Sequence, residues 1–425
     1  MKILSAIVMA LSVLLLSACG GGSKTASVST GETALPLRYA SQLQLSSLTL
    51  EGSEDSLIVA RVRNPWDTTR LLHTYVLAPM RLDSSATQGA ALRDKLPENL
   101  RTATVVRTPL QRSVVYSSVH CSLLHRLSRL SQVAGVCDLG YMLLPAIHHA
   151  HKAGRIADLG SSMNPNLESL IDLHPDAILL SPYENSGGYG RIEKLQIPII
   201  ECADYMESSP LGQAEWMRLY GRLYGCASQA DSLFACVEER YNHLKAEVEA
   251  HIKAGESAGK DPRTICPSVF TDLKNGSAWY VPGGRSTPAI FLRDAGARYV
   301  FGDNKSYGSI PMSFENVFDR AREADFWLIK YNQATDKTLS GLQHDFAPYA
   351  GFRAFKEGRV YGCNTHDIPF YEESPFAPDE LLSDYVRLFH PELMQKTDAM
   401  QKTDVMQKTD ASEAQSMKYF RTLAK

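Results

Sequence analysis

Imidazole side chains are common transition-metal ligands, and three places among the twelve histidines of the sequence are candidates for such a role. They are His120, the group His148-His149-Ala150-His151, and the pair His366-Asp367. His120 follows a short apolar run, so it is a candidate for axial coordination of a metal complex held at the end of a strand. Adjacent histidines on one helix splay apart, and no partner carboxylate is evident beside the group at 148–151. A protein that binds a free zinc or manganese ion needs three or four converging ligands and remains an alternative.

Aromatic side chains are predicted to lie in four loops that follow strands. They are Tyr141, Tyr183, Trp279-Tyr280 and Phe370-Tyr371. Planar rings can bury a corrin, a porphyrin or a catecholate by stacking, and Arg285 offers a forked cation to an anionic complex. The predicted ligand-binding residues are therefore His120, Tyr141, Tyr183, Trp279, Arg285 and Tyr371.

Sequence motifs of α/β enzymes are missing from the chain. It contains no GxSxG, no GxxxxGK[ST] and no GxGxxG after a strand, so neither a nucleophile elbow nor a phosphate loop is predicted. His120 and Cys121 are adjacent in sequence, which does not place a base within reach of a nucleophile. We predict a protein that is not an enzyme and has no intrinsic cofactor. A surface lipoprotein without a transport role, or an α/β enzyme without a recognisable motif, remains a further alternative.

The composition is that of a globular protein without a nucleic-acid partner. The 425 residues are 44% hydrophobic, and 44 basic side chains stand against 47 acidic ones. Phosphate neutralisation requires a clustered basic surplus, which this balance does not supply. The length predicts two or three domains.

The N-terminus has the features of a bacterial lipoprotein signal. Lys2 precedes a mostly apolar stretch from Ile3 to Leu16, which is too short to span a bilayer and is typical of a secretory signal. Leu16-Ser17-Ala18-Cys19 resembles the lipobox, in which Cys19 becomes the lipidated first residue after cleavage. The following Gly/Ser/Thr-rich run predicts a flexible tether. The protein is thus expected to face the periplasm or the cell surface, held to the membrane by lipid.

Apolar runs alternate with helical patterns in both halves of the chain. Strands are predicted at 113–116, 177–180, 197–200, 264–270, 326–329 and 359–361, and helices at 121–130, 166–173, 189–195, 288–295 and 313–324. This alternation indicates parallel sheets covered by helices. Between the halves, Ser228 to Lys253 carries an apolar stripe at three- and four-residue spacing, which predicts a helix on the order of 38 Å long. The fold class is therefore α/β, with two lobes joined by one long helix and preceded by a β-rich extension.

Several of these segments occur in the order typical of one family. Arg112 to Ser118, Val133-Ala134-Gly135-Val136, Asn166-Leu167-Glu168 and His174-Pro175-Asp176 are followed beyond the long helix by Ile310 to Val317. Over about residues 110–392 the chain resembles the substrate-binding proteins that serve ABC importers of siderophores, haem and cobalamin. The resemblance implies a metal-chelate ligand in a cleft between the lobes and delivery to a membrane permease. It also implies that Glu168 and Glu315, at matching positions of the two lobes, dock against permease arginines.

These predictions divide the chain into seven segments. They are a signal peptide (1–18), a tether (19–34), a β-rich extension (35–109), an N-terminal lobe (110–227), a bridging helix (228–256), a C-terminal lobe (257–392) and a tail (393–425). The tail contains Met-Gln-Lys-Thr-Asp three times at six-residue intervals. A period of six builds up no single apolar helix face, so the repeat is interpreted as a surface helix or linker without chemistry.

Overall fold

A computed structural model describes residues 31–51, 56–67, 69–80, 88–184, 188–394 and 417–425. The predicted signal peptide, Cys19 and most of the tether lie outside these residues, as does nearly all of the repeat. No helix within the described ranges is long and apolar enough to cross a membrane. The seven cysteines in these ranges are all free thiols, and five of them are buried.

The N-terminal extension forms a five-stranded sheet with one helix. Its elements are β1 (Gly31–Leu35), β2 (Leu43–Thr49), β3 (Ser56–Arg63), β4 (Leu71–Pro79), α1 (Gln88–Lys95) and β5 (Thr104–Thr108). The strands follow one another in chain order, and neighbouring strands are antiparallel except for the parallel pair β4–β5. Both faces are buried, because Leu57 and Val59 of β3 join a small core that includes Leu92 of α1, whereas Ala60 and Val62 join the main core.

Two buried carboxylates fasten the extension to the body of the protein. Glu215 accepts hydrogen bonds from the backbone N–H groups of residues 38, 39 and 40 at 2.8–3.0 Å. Glu207 accepts from the N–H groups of Ser41 and Gln42, each at 2.8 Å, and from the indole of Trp216. A segment without regular structure thereby has its backbone donors satisfied by the adjoining lobe.

The N-terminal lobe is a parallel five-stranded sheet flanked by helices. Its elements are β6 (Ser113–Val115), α2 (Ser118–Arg126), β7 (Val133–Val136), α3 (Pro145–Lys152), β8 (Ala157–Asp158), α4 (Leu167–Asp172), β9 (Ala177–Leu180), β10 (Ile199–Glu201), α5 (Pro210–Glu215) and α6 (Met217–Leu223). The strand order is β10-β9-β6-β7-β8. The helix predicted at 189–195 is wrong, since only a 3-10 turn at Glu193–Leu195 forms there. Gly135 of β7 is closely packed, because a Cβ at this position would lie 2.7 Å from Leu173 Cδ1 and that side chain would have to shift.

The predicted bridging helix is the longest helix of the described chain. Helix α7 (Ala227–Ser257) has 31 residues and packs against α6 of the N-terminal lobe and against a helix of the C-terminal lobe. Its buried stripe consists of Ala230, Phe234, Val237, Tyr241, Leu244, Val248 and Gly255. This spacing keeps one face of the helix in the core along its whole length.

The C-terminal lobe contains two sheets. Its elements are α8 (Pro262–Ile265), β11 (Ser268–Thr271), β12 (Lys274–Asn275), β13 (Ala278–Pro282), α9 (Thr287–Asp294), β14 (Arg298–Tyr299), β15 (Ser309–Met312), α10 (Phe314–Ala321), β16 (Phe326–Tyr331), α11 (Leu339–Asp345), α12 (Arg353–Lys356), β17 (Val360–Asn364), α13 (Phe370–Glu373), α14 (Pro378–Phe389) and β18 (Arg421–Thr422). The main sheet has the order β14-β11-β16-β17-β18 and is parallel except for β18, while β12, β13 and β15 form a small antiparallel sheet.

Two sequence predictions fail in this lobe. The strand predicted at 264–270 is the end of α8 followed by β11, because Asp261 caps a short helix that begins at Pro262. Trp279 and Tyr280 were predicted in a loop but belong to β13, where successive side chains point to opposite faces.

Candidate functional site

The carboxyl ends of the parallel strands surround two adjoining cavities. One, of about 520 Å³, is lined by Tyr116 and Ser117 after β6 and by Tyr183 after β9. The other, of about 450 Å³, lies between the lobes and is lined by Ser118 and Tyr141 on one side and by Lys330, Tyr331 and Tyr371 on the other. The two cavities meet at the end of β6. Open α/β sheets bind ligands at this position, so we identify these cavities as a candidate ligand cleft.

Three of the predicted aromatic residues present exposed rings to this cleft. Tyr141 is 85% exposed, Tyr371 56% and Tyr183 51%, which leaves large apolar surfaces free for a ligand. Tyr141 ends a 3-10 turn that starts after Asp138, whose φ of 54° turns the chain sharply after β7. Tyr371 lies in α13, which follows β17 and packs against α2 of the opposite lobe. Tyr371 thus lies in a short helix, where the sequence predicted a loop, and it reaches the same cavity as Tyr141 from the opposite lobe.

Trp279 is not available to a ligand. The side chain is fully buried, and its indole N–H donates to the Thr271 carbonyl at 2.9 Å. Because β13 alternates between faces, the neighbouring Tyr280 is 51% exposed instead. Neither Trp279 nor Tyr280 lines the two cavities of the candidate cleft.

His120 is also buried in the structure. It lies in the first turn of α2 with 1% of its surface exposed, and its Nε2 is 2.9 Å from Asp204 Oδ1. Its ring centroid lies 5.2 Å from that of Tyr220. An imidazole covered in this way supports the packing of α2 and has no open path to a metal complex in the cleft.

Arg285 lies in the loop between β13 and α9 and lines neither cavity. Its guanidinium carbon is 5.9 Å from the ring centroid of Tyr307, an exposed residue of the segment before β15. The structure therefore places this cation beside a different aromatic ring from those of the cleft.

Sequence reasoning did not find the ion pair of Lys330 and Asp272 at the C-terminal side of the cleft. Lys330 Nζ lies 2.8 Å from Asp272 Oδ1, and the φ of Asp272 is 68° immediately after β11. Burial lowers the pKa of the Lys330 ammonium, but the Asp272 carboxylate outweighs it and the pKa is raised overall. The cleft therefore contains a permanent cation whose charge is compensated by a single carboxylate. Pairing of residues from different strands leaves no pattern in the sequence.

A second missed residue, Glu372, connects the two lobes. Its Oε1 accepts a hydrogen bond of 2.7 Å from the backbone N–H of Leu143, so α13 is tied to the loop after β7. Burial raises the pKa of the Glu372 carboxyl above its ordinary value. This contact sets the spacing of the two walls of the cavity that holds Tyr141 and Tyr371.

Glu168 and Glu315 occupy corresponding exposed positions on the two lobes. Each is the second residue of its helix, α4 or α10. Each helix is capped in the same way, since Asn166 accepts a hydrogen bond from Ser169 N and Ser313 from Asn316 N. Backbone and Ser313 hydrogen bonds lower the pKa of the Glu315 carboxyl. Both carboxylates are thus free to meet a partner that carries cations.

The histidines at 148–151 do not converge. His148 Nε2 lies 2.6 Å from the Met142 carbonyl and His151 Nδ1 lies 2.9 Å from the Ile156 carbonyl, whereas His149 is exposed. His366 Nε2 is 3.9 Å from Asp367, and both side chains are well exposed.

Sequence comparison finds a family and lipoprotein relatives. A family model described as periplasmic binding protein matches residues 144–365. An uncharacterized lipoprotein of Methanocaldococcus jannaschii is 28% identical over 311 residues, which cover 71% of this chain and 69% of that protein. A second uncharacterized lipoprotein of the same organism is 20% identical over 307 residues, 71% of this chain and 75% of the relative.

Solved structures share the two-lobe fold. A possible iron-binding periplasmic solute-binding protein of Staphylococcus epidermidis aligns with a TM-score of 0.51 and 17% identity, covering 67% of this chain and all of that one. The molybdate periplasmic binding protein of a Haemophilus influenzae ABC transporter aligns with a TM-score of 0.52 and 18% identity, covering 68% of this chain and 90% of that one.

Proposed function

Because the chain belongs to the periplasmic binding protein family, whose members are binding proteins and not enzymes, we propose that it captures a metal chelate and delivers it to an ABC importer permease. The observation that carries this proposal is the cleft, in which exposed aromatic rings from both lobes face one cavity. Flat ring surfaces suit a corrin, a porphyrin or a catecholate, and the ligand is thus a ferric siderophore, haem or cobalamin.

Lys330 gives the cleft a cation that an oxygen of a chelate can approach. Lys330 remains protonated at any physiological pH, and its ammonium lies between the interlobe cavity and Asp272. A ligand carboxylate or catecholate oxygen that approaches Lys330 can share its hydrogen bonds with Asp272.

The proposal also includes a lipid anchor and a docking surface. Acylation of Cys19 after removal of residues 1–18 would hold the protein on the membrane beside the permease, in keeping with relatives that carry the name lipoprotein. Glu168 and Glu315 are exposed on separate lobes, so each is able to pair bidentately with a permease arginine while the cleft stays between them.

The test is a parallel titration of the purified protein with haem, cobalamin, a ferric catecholate and a ferric hydroxamate, with molybdate as a non-chelate control. Trp279 and Trp327 both donate to backbone carbonyls at the end of β11, at residues 271 and 272. A coloured chelate bound in the cleft would therefore quench their fluorescence. Saturable quenching by one chelate is expected, and the absence of binding by all four would refute the chelate class. If molybdate alone bound saturably, the proposed ligand class would change from a metal chelate to a small oxyanion.

A further inference from the structure

Two histidines and a carboxylate meet where the bridging helix contacts the end of the last long helix. His251 belongs to α7, His390 directly follows α14, and Glu392 stands two residues later. His251 Nε2 lies 2.9 Å from Glu392 Oε1, and one ligating atom from each residue can be chosen so that all three lie within 4.8 Å of one another. No other group of three such side chains is this close among the residues that the structure describes.

His390 is the fully buried member of this group. Its side chain has no exposed surface, and both ring nitrogens are buried without a hydrogen-bond partner. A neutral imidazole has one donor and one acceptor, and burial without good partners for both costs free energy. A ring nitrogen of His390 lies within 4.8 Å of ligating atoms of both His251 and Glu392.

The position of the His390 ring is fixed by its surroundings. The ring lies over Gly296, where a Cβ would approach His390 Nε2 to 2.6 Å and Val248 Cγ1 of α7 to the same distance. The His390 and His251 ring centroids are 5.4 Å apart. One ligand is thus held rigidly by packing, and the other two are a half-buried imidazole and a half-exposed carboxylate.

We propose that His251, His390 and Glu392 bind a divalent transition-metal ion of the zinc class. Two imidazoles and a carboxylate suit Zn²⁺ and its borderline neighbours, whereas Ca²⁺ and Mg²⁺ favour oxygen ligands. Bonds of about 2.0–2.1 Å in a tetrahedral site place ligand atoms roughly 3.3 Å apart. The ligating atoms of the three side chains now lie within 4.8 Å of one another. They reach the tetrahedral separation when the side chains move by about an ångström. Water would occupy the fourth position, on the side where Glu392 is exposed.

This site is separate from the candidate cleft. None of its three residues lines either cavity at the strand ends. An ion bound here is held by the protein itself and joins the C-terminal part of the bridging helix to the end of α14. The proposal is therefore independent of which chelate the cleft binds.

The experiment uses the full chain, purified without a polyhistidine tag, stripped with a chelator and dialysed. Zn²⁺ binding is measured by calorimetry and metal analysis, and Co²⁺ serves as a probe because its visible d–d bands report tetrahedral coordination. The main variant is Glu392→Gln, since the half-exposed amide keeps a hydrogen-bond acceptor for His251 but loses the charge. His390→Gln removes the buried ligand, and His149→Gln, at an exposed histidine of α3, is the matched control.

One equivalent of Zn²⁺ is expected for the wild-type chain and for His149→Gln, with a rise of a few degrees in melting temperature. Affinity should fall roughly tenfold or more in Glu392→Gln, in line with the loss of one ligand, and the rise in melting temperature should disappear. Chelate binding in the cleft serves as the check that each variant is folded. Absence of stoichiometric binding, or equal binding by Glu392→Gln and the wild type, would overturn the proposal.

Discussion

The two most exposed rings of the interlobe cavity give the sharpest test of ligand position. Tyr141 and Tyr371 come from opposite lobes and are 85% and 56% exposed. Taking about 200 Å² for a tyrosine side chain, these fractions leave about 170 and 110 Å² free. A flat ligand that covers one face of each ring would bury about half of that area.

At about 25 cal/mol per Å² of buried apolar surface, the loss on substitution is about 2 kcal/mol for Tyr141→Ala and about 1.4 kcal/mol for Tyr371→Ala. These values correspond to roughly thirtyfold and tenfold weaker binding of the chelate. Both substitutions leave the core unchanged, because the rings are exposed, so melting temperatures should stay near that of the wild type. The assay is fluorescence or calorimetric titration with the chelate that the initial screen identifies.

Two kinds of control separate ring contact from other effects. Tyr141→Phe and Tyr371→Phe keep the ring and should bind within about twofold of the wild type, because the loss of a solvent-exposed hydroxyl is small. Tyr307→Ala removes a ring that is 62% exposed but lines neither cavity, and it should leave affinity unchanged. If Tyr141→Ala and Tyr371→Ala both bound the chelate as tightly as the wild type, the ligand would not lie between these rings and the assignment of the cleft would be refuted.

Three further predictions concern stability, pH and docking. Glu215→Ala should lower the free energy of unfolding by about 4 kcal/mol in urea titrations, because three backbone N–H groups lose a buried acceptor, whereas Glu239→Ala on the exposed side of α7 should change it little. Burial raises the pKa of the Glu372 carboxyl above its ordinary value of 4.5. The stability that this carboxyl contributes is therefore present below pH 4.5 and is lost as the pH rises through the higher pKa of the folded state. Glu372→Gln should therefore match the wild type near pH 4 and exceed its melting temperature increasingly toward pH 7; a constant difference would contradict the shift. Glu168→Ala combined with Glu315→Ala should reduce chelate uptake by roughly tenfold or more with no change in chelate affinity, and a loss of affinity instead would place these residues in ligand binding.

The elements that the sequence predicted best are those whose burial follows a simple period. Strand β9 was predicted at its observed bounds, because four continuous apolar residues are buried on both faces of a parallel sheet. Helix α7 was predicted to within a few residues at each end, because its apolar stripe recurs at three and four residues over its whole length. Strand β8 was missed, since two residues are too few to carry a period.

The site residues were harder to predict because their role depends on direction and on distant partners. Trp279 and Tyr280 are neighbours in one strand, and only the pairing of β13 with β15 decides which of them faces the core. Lys330 meets Asp272, which follows another strand, and His251 meets His390, which follows another helix. Spacing along the chain contains no information about such pairs, because they are created when the strands and helices pack together.

The residues that the structure describes after the repeat belong to the C-terminal lobe. Residues 417–425, predicted as part of the tail, return to the C-terminal lobe, where β18 pairs with β17. Tyr419 and Phe420 are buried there, and the carboxylate of Asp384 accepts from the N–H groups of Lys418 and Tyr419. The sequence concealed this return, because only fifteen residues follow the repeat and their apolar positions form no long pattern.

Two changes in this tail should therefore affect the free energy of unfolding to very different extents. Phe420→Ala should lower the free energy of unfolding by about 3–5 kcal/mol, the usual cost of removing a buried aromatic ring. Deletion of one repeat unit, residues 400–405, shortens the connection between residues 394 and 417 from 22 residues to 16. Closure entropy depends on the logarithm of loop length, so this deletion should change stability by only about 0.3 kcal/mol. Urea unfolding of both variants measures the contrast, and a large loss of stability on deletion would mean that the repeat itself makes stabilising contacts with the lobe.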